Sequence, residues 1–189
     1  KEHRPNPIVE MGLFMDGDGI PLAFSIYPGN KNEQQTLIPL EQQIIQDFQH
    51  AKFIICTDAG LSSADNRKFN NQKDRAFITT QSIKKLKSHL KTWCLDPNGW
   101  KLEGFAADKT GQPVTFNLQE LQEDDKLREK HEQSTFYKER WIKEDGLEQK
   151  LIVTFSLKRK AYQQKIRERQ IQRAEKMLDG NTAALKKHS

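Results

Sequence analysis

The sequence predicts an α/β fold with a mixed sheet, and three observations carry that expectation. Short runs of β-branched and aromatic residues alternate with stretches whose apolar residues recur at helical spacing. The order of elements through residue 91 reads β-β-α-β-α-β-α. Finally, the run Phe53-Ile54-Ile55-Cys56 stops abruptly at Thr57-Asp58, and Gly60 with Ser62 and Ser63 turns the chain into a helix. In α/β folds, ligands and metal ions collect at the carboxyl ends of the strands, where this unit places Asp58.

Residues 8–15 and 20–27 are apolar enough for strands, and Asp16-Gly17-Asp18-Gly19 between them is a strong turn signal. The two strands are therefore expected to form an antiparallel hairpin. Asp16 and Asp18 have the spacing of a metal pair, but a calcium loop needs further oxygen ligands and a Glu at its twelfth position. Turn chemistry explains them better. Pro28-Gly29-Asn30 ends the hairpin, and Leu37, Leu40, Ile44, Ile45 and Phe48 predict a helix over 36–48, with Pro39 in its first turn. The strand over 53–57 is expected to be buried and internal to the sheet. The helix after it runs to about residue 72, and Ser62 with Asp65 has the form of a capping box. Residues 76–80 read as another strand, and 82–91 as a helix with a basic outer face.

Composition changes after Leu95. Asp96-Pro97-Asn98-Gly99 is a turn, and residues 100–148 are polar and irregular, with two or three strands expected among short apolar clusters. The acidic residues Glu120, Glu123, Asp124 and Asp125 are expected on a solvated helix face. Residues 151–156 read as a strand. A helix over 158–178 follows, carrying Lys158, Arg159, Lys160, Lys165, Arg167, Arg169, Arg173 and Lys176 against only Glu168 and Glu175. Its apolar residues cover about half of its circumference, so one face is expected to pack while the basic side contacts phosphate backbone. The expected division is a core over 1–95, a polar β-containing insertion over 96–157, and a basic helix with tail over 158–189.

Lys and Arg total 31 against 26 Asp and Glu, a net charge of +5 with a pI near 9.1. That balance suits a polyanionic partner. A hydrophobic fraction of 35% and a mean hydropathy of −0.85 imply that much of the chain is solvated or held by partners. Cys56 and Cys94 are the only cysteines, with no C-x-x-C, and read as reduced thiols in a cytoplasmic protein. His3, His50, His89, His131 and His188 are scattered, without zinc spacing. No apolar run approaches about twenty residues, so no membrane partner is expected. The chain begins at Lys1 without an initiator Met and reads as a piece of something longer.

Arg4-Pro5-Asn6-Pro7, Met11-Gly12-Leu13-Phe14, Asp16, Gly19-Ile20-Pro21-Leu22, Tyr27-Pro28-Gly29-Asn30 and Thr36 together resemble bacterial insertion-sequence DDE transposases of the insertion-sequence-4-like group. Thr57-Asp58-Ala59-Gly60-Leu61-Ser62-Ser63-Ala64-Asp65-Asn66 resembles the segment holding the second catalytic Asp of those enzymes. Ile152-Val153-Thr154-Phe155-Ser156 with Lys158-Arg159, Arg167 and Arg169 resembles a stretch of the insertion that precedes their catalytic Glu. The resemblance covers most of 1–95 and 150–178.

It implies an RNase H-like mixed sheet with flanking helices, in which Asp, Asp and Glu hold two divalent ions, magnesium or manganese. Asp58 would be the catalytic and metal-binding residue of this chain. The first Asp would fall upstream of Lys1. Tyr137, Arg140 and Glu144 fit the family's Tyr-x-x-Arg-x-x-x-Glu by letter, but inside the insertion, where the family does not carry its Glu. The implied partner is double-stranded DNA, at transposon ends and target, with a homodimer assembled on it in the bacterial nucleoid. Two other readings compete: an inactive RNase H-like module for nucleic-acid binding or assembly, and a phosphate-ester hydrolase pairing Asp58 with Asp16 or Asp18.

Overall fold

In the computed structural model, placement is described for residues 8–49, 52–72, 74–104, 111 and 114–178. The architecture is mixed α/β, with three small sheets and six α-helices among the described residues. The chain divides into two compact units, Lys1–Lys91 and Thr92–Ser189.

The first unit opens with the hairpin of β1 (Val9–Met15) and β2 (Pro21–Pro28), paired antiparallel from Val9↔Pro28 to Phe14↔Ala23. Asp16 anchors its tip, where Oδ1 accepts the backbone N–H groups of Asp18 and Ile20, both at 2.9 Å. Strand alternation sends Gly12, Phe14, Ala23, Ser25 and Tyr27 to a half-buried side. The side carrying Met11, Leu13, Phe24 and Ile26 is exposed. Helix α1 (Leu37–Phe48) follows a 3₁₀ turn, Glu33–Gln35, and buries Leu37, Leu40, Glu41 and Ile44. It ends at Gln49, whose φ of +52° places it in the left-handed region common at helix ends.

Strand β3 (Ile54–Thr57) pairs in parallel with β4 (Ala76–Thr79), and helix α2 (Ala64–Asn70) connects them. Two expectations are corrected here. Hairpin and parallel pair are separate sheets, so β3 has β4 as its only strand neighbour among the described residues and is not internal. Nor is it buried on both faces: Ile55 is 4% exposed, but Ile54 is 64% exposed and Cys56 is also exposed. An unbroken apolar run does not show which of its faces finds a cover. The cap of α2 also lies one residue later than expected. Ser63 Oγ accepts the N–H of Asn66 at 3.2 Å, while Ser62 Oγ donates to the carbonyl of Ala59.

The helix expected over 82–91 is two elements, a 3₁₀ turn at Ile83–Lys85 and α3 (Ser88–Leu95). Spacing accounts for the break. Ile83 and Leu86 are three apart, which suits three residues per turn, whereas Leu86, Leu90 and Cys94 are four apart.

The second unit holds an antiparallel sheet in the order β5 (Lys101–Leu102), β6 (Thr135–Glu144), β7 (Leu147–Ser156). Asp145 and Gly146, with φ of +53° and +76°, make the tight turn of the β6–β7 hairpin. This region is more regular than its polarity suggested, because β6 and β7 pair along ten residues each although β6 carries consecutive charged residues. Phe136, at 0% exposure, centres the core, with Phe116 and His131 edge-on at 5.1 and 5.7 Å. The acidic cluster spans α4 (Leu118–Glu123) and α5 (Asp125–Lys130), and Asp124 between them caps α5 through Lys126 N and Leu127 N. Helix α6 (Leu157–Leu178) follows β7 directly.

Lys138 is the least expected core residue, only 4% exposed. Its Nζ donates to the carbonyls of Trp93 and Asp96 at 2.6 and 2.7 Å, capping the end of α3. It also lies 4.7 Å from the centre of the Trp100 ring and 5.1 Å from that of Trp93. Burial lowers its pKa from the ordinary lysine value, yet two carbonyls and two indole faces compensate the lost water. Lys138→Met should remove the ammonium from both carbonyls, leaving that of Asp96 with the Trp100 indole N–H at 2.9 Å, and destabilise this unit by about 2 kcal/mol. Urea unfolding of the two proteins measures it; unchanged stability would show that the ammonium contributes nothing net.

Candidate functional site

The carboxyl ends of the parallel strands carry a small polar network. Thr57 Oγ1 donates to Thr79 Oγ1 across the pair at 3.0 Å, and Thr79 Oγ1 donates to the carbonyl of Asp58 at 3.1 Å. The β4 strand thereby holds the backbone of the residue that leaves β3. Asp58 is exposed, and its Oδ1 accepts the N–H of Gly60 at 2.9 Å. One carboxylate oxygen thus shapes the turn, while the side chain as a whole stays open to solvent.

Gly60 sits close to two acidic side chains. A Cβ there would sit 3.1 Å from Asp58 Oδ1 and 3.3 Å from Glu33 Oε2, tighter than side chains normally tolerate. The 3₁₀ turn before α1 therefore brings a second carboxylate to the same glycine. Nothing in the sequence marked Glu33, because it comes beside Gly60 through folding and not through spacing. Ser62 Oγ, 3.3 Å from Gln81 Oε1, connects this turn to the segment after β4.

The other acidic candidates are placed differently. Asp16 has its Oδ1 occupied by the hairpin tip. Glu144 ends β6 in the second unit, while Asp58 lies in the first. Among the described residues, no group of three or more His, Cys, Asp or Glu could hold a metal ion. Asp58 is a hard oxygen donor of the kind magnesium takes, and it fits as one member of a ligand set rather than as a whole one.

Helix α6 begins one residue earlier than expected, at Leu157, with the N–H of Arg159 donating to Ser156 Oγ at 3.5 Å. Lys158, Arg159, Lys165, Arg167, Arg169, Arg173 and Lys176 are all exposed. Lys160 is not part of that set: it is half-buried and its Nζ bonds Gln122 Oε1. The expected packing of one face is also corrected, since Tyr162, Ile171 and Met177 are exposed at 62%, 49% and 40%. The reason is in the spacing. Arg169 and Arg173 lie along the stripe between Ile166 and Met177, so no uninterrupted apolar face exists to bury.

The outer face of the β5–β7 sheet has lysines too, but Glu139 lies between Lys101 and Lys150 at 3.7 and 3.2 Å. Hydrogen bonding and charge from Lys150, then Lys101, hold the Glu139 carboxyl below its ordinary pKa. Glu139 therefore offsets part of the positive charge on that face, whereas seven cations of α6 stand exposed along one helix.

Fold and site together define a mixed α/β protein with a carboxylate at the open end of a parallel strand pair, followed in its second unit by a basic helix. No protein-family model, curated protein or solved structure matches the chain. Among the described residues, no helix is long and apolar enough to cross a membrane.

Proposed function

We propose that this chain is part of the catalytic core of an insertion-sequence DNA transposase, RNase H-like in its first unit. The carrying observation is Asp58, exposed at the carboxyl end of β3 beside the parallel β4, within a Thr57-to-Asn66 segment that resembles the family's second catalytic motif. When bound, divalent ions of this family activate the attacking oxygen and stabilise the leaving oxygen of a phosphodiester. This chain's share is narrower. Asp58 supplies one hard-oxygen ligand, Thr79 fixes its backbone, and Gly60 keeps space beside its carboxylate. The exposed cations of α6 contact DNA phosphates without reading sequence.

One assay tests the reading. The purified chain, with magnesium, should bind double-stranded DNA but neither nick nor join it, because a single carboxylate does not hold strongly hydrated magnesium ions. Failure to bind DNA at low salt would sink the proposal. Magnesium-dependent nicking that disappears in Asp58→Ala would instead place the complete ligand set within this chain.

A further inference from the structure

We propose that Glu41 and Asn70 form a pH-sensitive latch between α1 and α2, closed when the Glu41 carboxyl is neutral and loosened when it ionises. The device is independent of the transposase reading. Glu41 is 0% exposed and lies on the buried side of α1. Asn70 Nδ2 lies 2.9 Å from both of its oxygens, and the same amide nitrogen is 3.2 Å from the carbonyl of Asn66. Asn70 Oδ1 is buried and has no partner. A neutral carboxyl has an O–H to offer such an oxygen after a turn of the amide; a carboxylate has none. One shared amide nitrogen is thin compensation for a fully buried charge.

The groups around Glu41 do not replace the missing solvation. Arg75, after α2, is the cation whose field reaches it. That guanidinium is already engaged with the Phe69 carbonyl at 2.8 Å, the Phe69 ring at 4.2 Å and Gln72. Arg67 of α2 lines the small cavity beside Asn70, where β3 and β4 contribute Ile55, Thr57, Phe77 and Thr79, none of which titrates in this range. From the hairpin side, the Tyr27 hydroxyl is bonded to the carbonyl of Thr36. Burial dominates, and the Glu41 carboxyl is pushed up from 4.5 to about 7.

The latch connects to the Asp58 turn through Asn66, one helical turn before Asn70 and also buried. Asn66 Nδ2 donates to the carbonyls of Gln34 and Leu61, at 3.0 and 2.9 Å. Helix α2 is thus fastened to the segment bearing Glu33 and α1 at two points, Gln34 and Glu41. One of these also ties down the turn after Asp58.

Because the folded pKa is raised, the stabilisation from Glu41 is complete below 4.5 and is lost as pH rises through about 7. Hydrogen exchange of the whole chain, corrected for intrinsic rates, tests this. Between about pH 5 and about pH 8, opening of α1 and α2 amides should rise on the order of fiftyfold. In Glu41→Gln, which carries no ionisable group, the rise should disappear. Equal opening at the two pH values in the unaltered chain, or an undiminished rise in Glu41→Gln, would overturn the proposal. If that variant does not fold, carbon-13 NMR titration of the unaltered chain decides. A Glu41 midpoint near 7 supports the latch, and one near 4.5 refutes it.

Discussion

Asp58→Ala should abolish DNA cleavage and strand transfer by a transposase polypeptide containing this chain, by about a thousandfold or more. Binding to transposon-end DNA should change little, because it rests on phosphate contacts made elsewhere. The structure also supplies the control this experiment needs. Alanine removes both a metal ligand and the acceptor for the Gly60 N–H, so its effect alone confounds chemistry with turn formation. Asp58→Asn keeps an oxygen able to accept that N–H and loses the charge. If the site works through a hard anionic ligand, the Asn variant should be nearly as inactive as the Ala variant while folding normally. Near-normal magnesium-dependent cleavage in either variant would return Asp58 to the status of a turn residue and leave the proposed function without its anchor. Gel assays of cleaved and joined products, run beside anisotropy measurements of end binding, separate the two effects.

The second large effect is expected in α6. Replacing Arg167, Arg169 and Arg173 with Gln should weaken duplex DNA binding on the order of tenfold, similarly for all sequences. The slope of log affinity against log salt should fall by about 0.9 for each phosphate contact removed. Helix geometry sharpens the expectation. Arg169 and Arg173 are four residues apart and share a face, whereas Arg167 points away from it. The Arg169/Arg173 double substitution and Arg167→Gln alone should therefore differ in effect, and the larger loss identifies the face that meets DNA. An unchanged salt slope in the triple variant would mean that α6 is only a solvated helix. Lys160, held by Gln122, is the internal comparison: its loss should act through packing and leave the slope almost intact.

Much of the local structure was legible, because local chemistry dictates it. Asp16 to Gly19 announced the hairpin tip, α1 followed its apolar spacing, and the strand–Asp58–turn–helix unit formed where expected. Association between distant segments was not legible. Periodicity says that 8–15 and 53–57 are strands, but it does not say whether they share a sheet, and they do not. Strand β6 was underrated because Lys138 and Arg140 break its apolar pattern, and the cover for Lys138 comes from Trp93 and Trp100, some forty residues earlier. The buried Glu41–Asn70 pair was equally invisible, since each partner reads as an ordinary polar residue of its own helix. At the site, Asp58 was found from its motif, whereas Glu33 needed the fold to bring it to Gly60.

The junction of β7 and α6 has a mechanical consequence. Ser156 closes the strand and Leu157, buried, opens the helix, with no residue between them. A joint with no linker residue has few bonds about which to swing, so the strand that feeds the helix limits its direction. Twenty-two residues make a rod about 33 Å long, close to the rise of one turn of duplex DNA, about 34 Å. The rod is a lever with the β5–β7 sheet as its bearing, and a load applied anywhere along its length is delivered to that sheet.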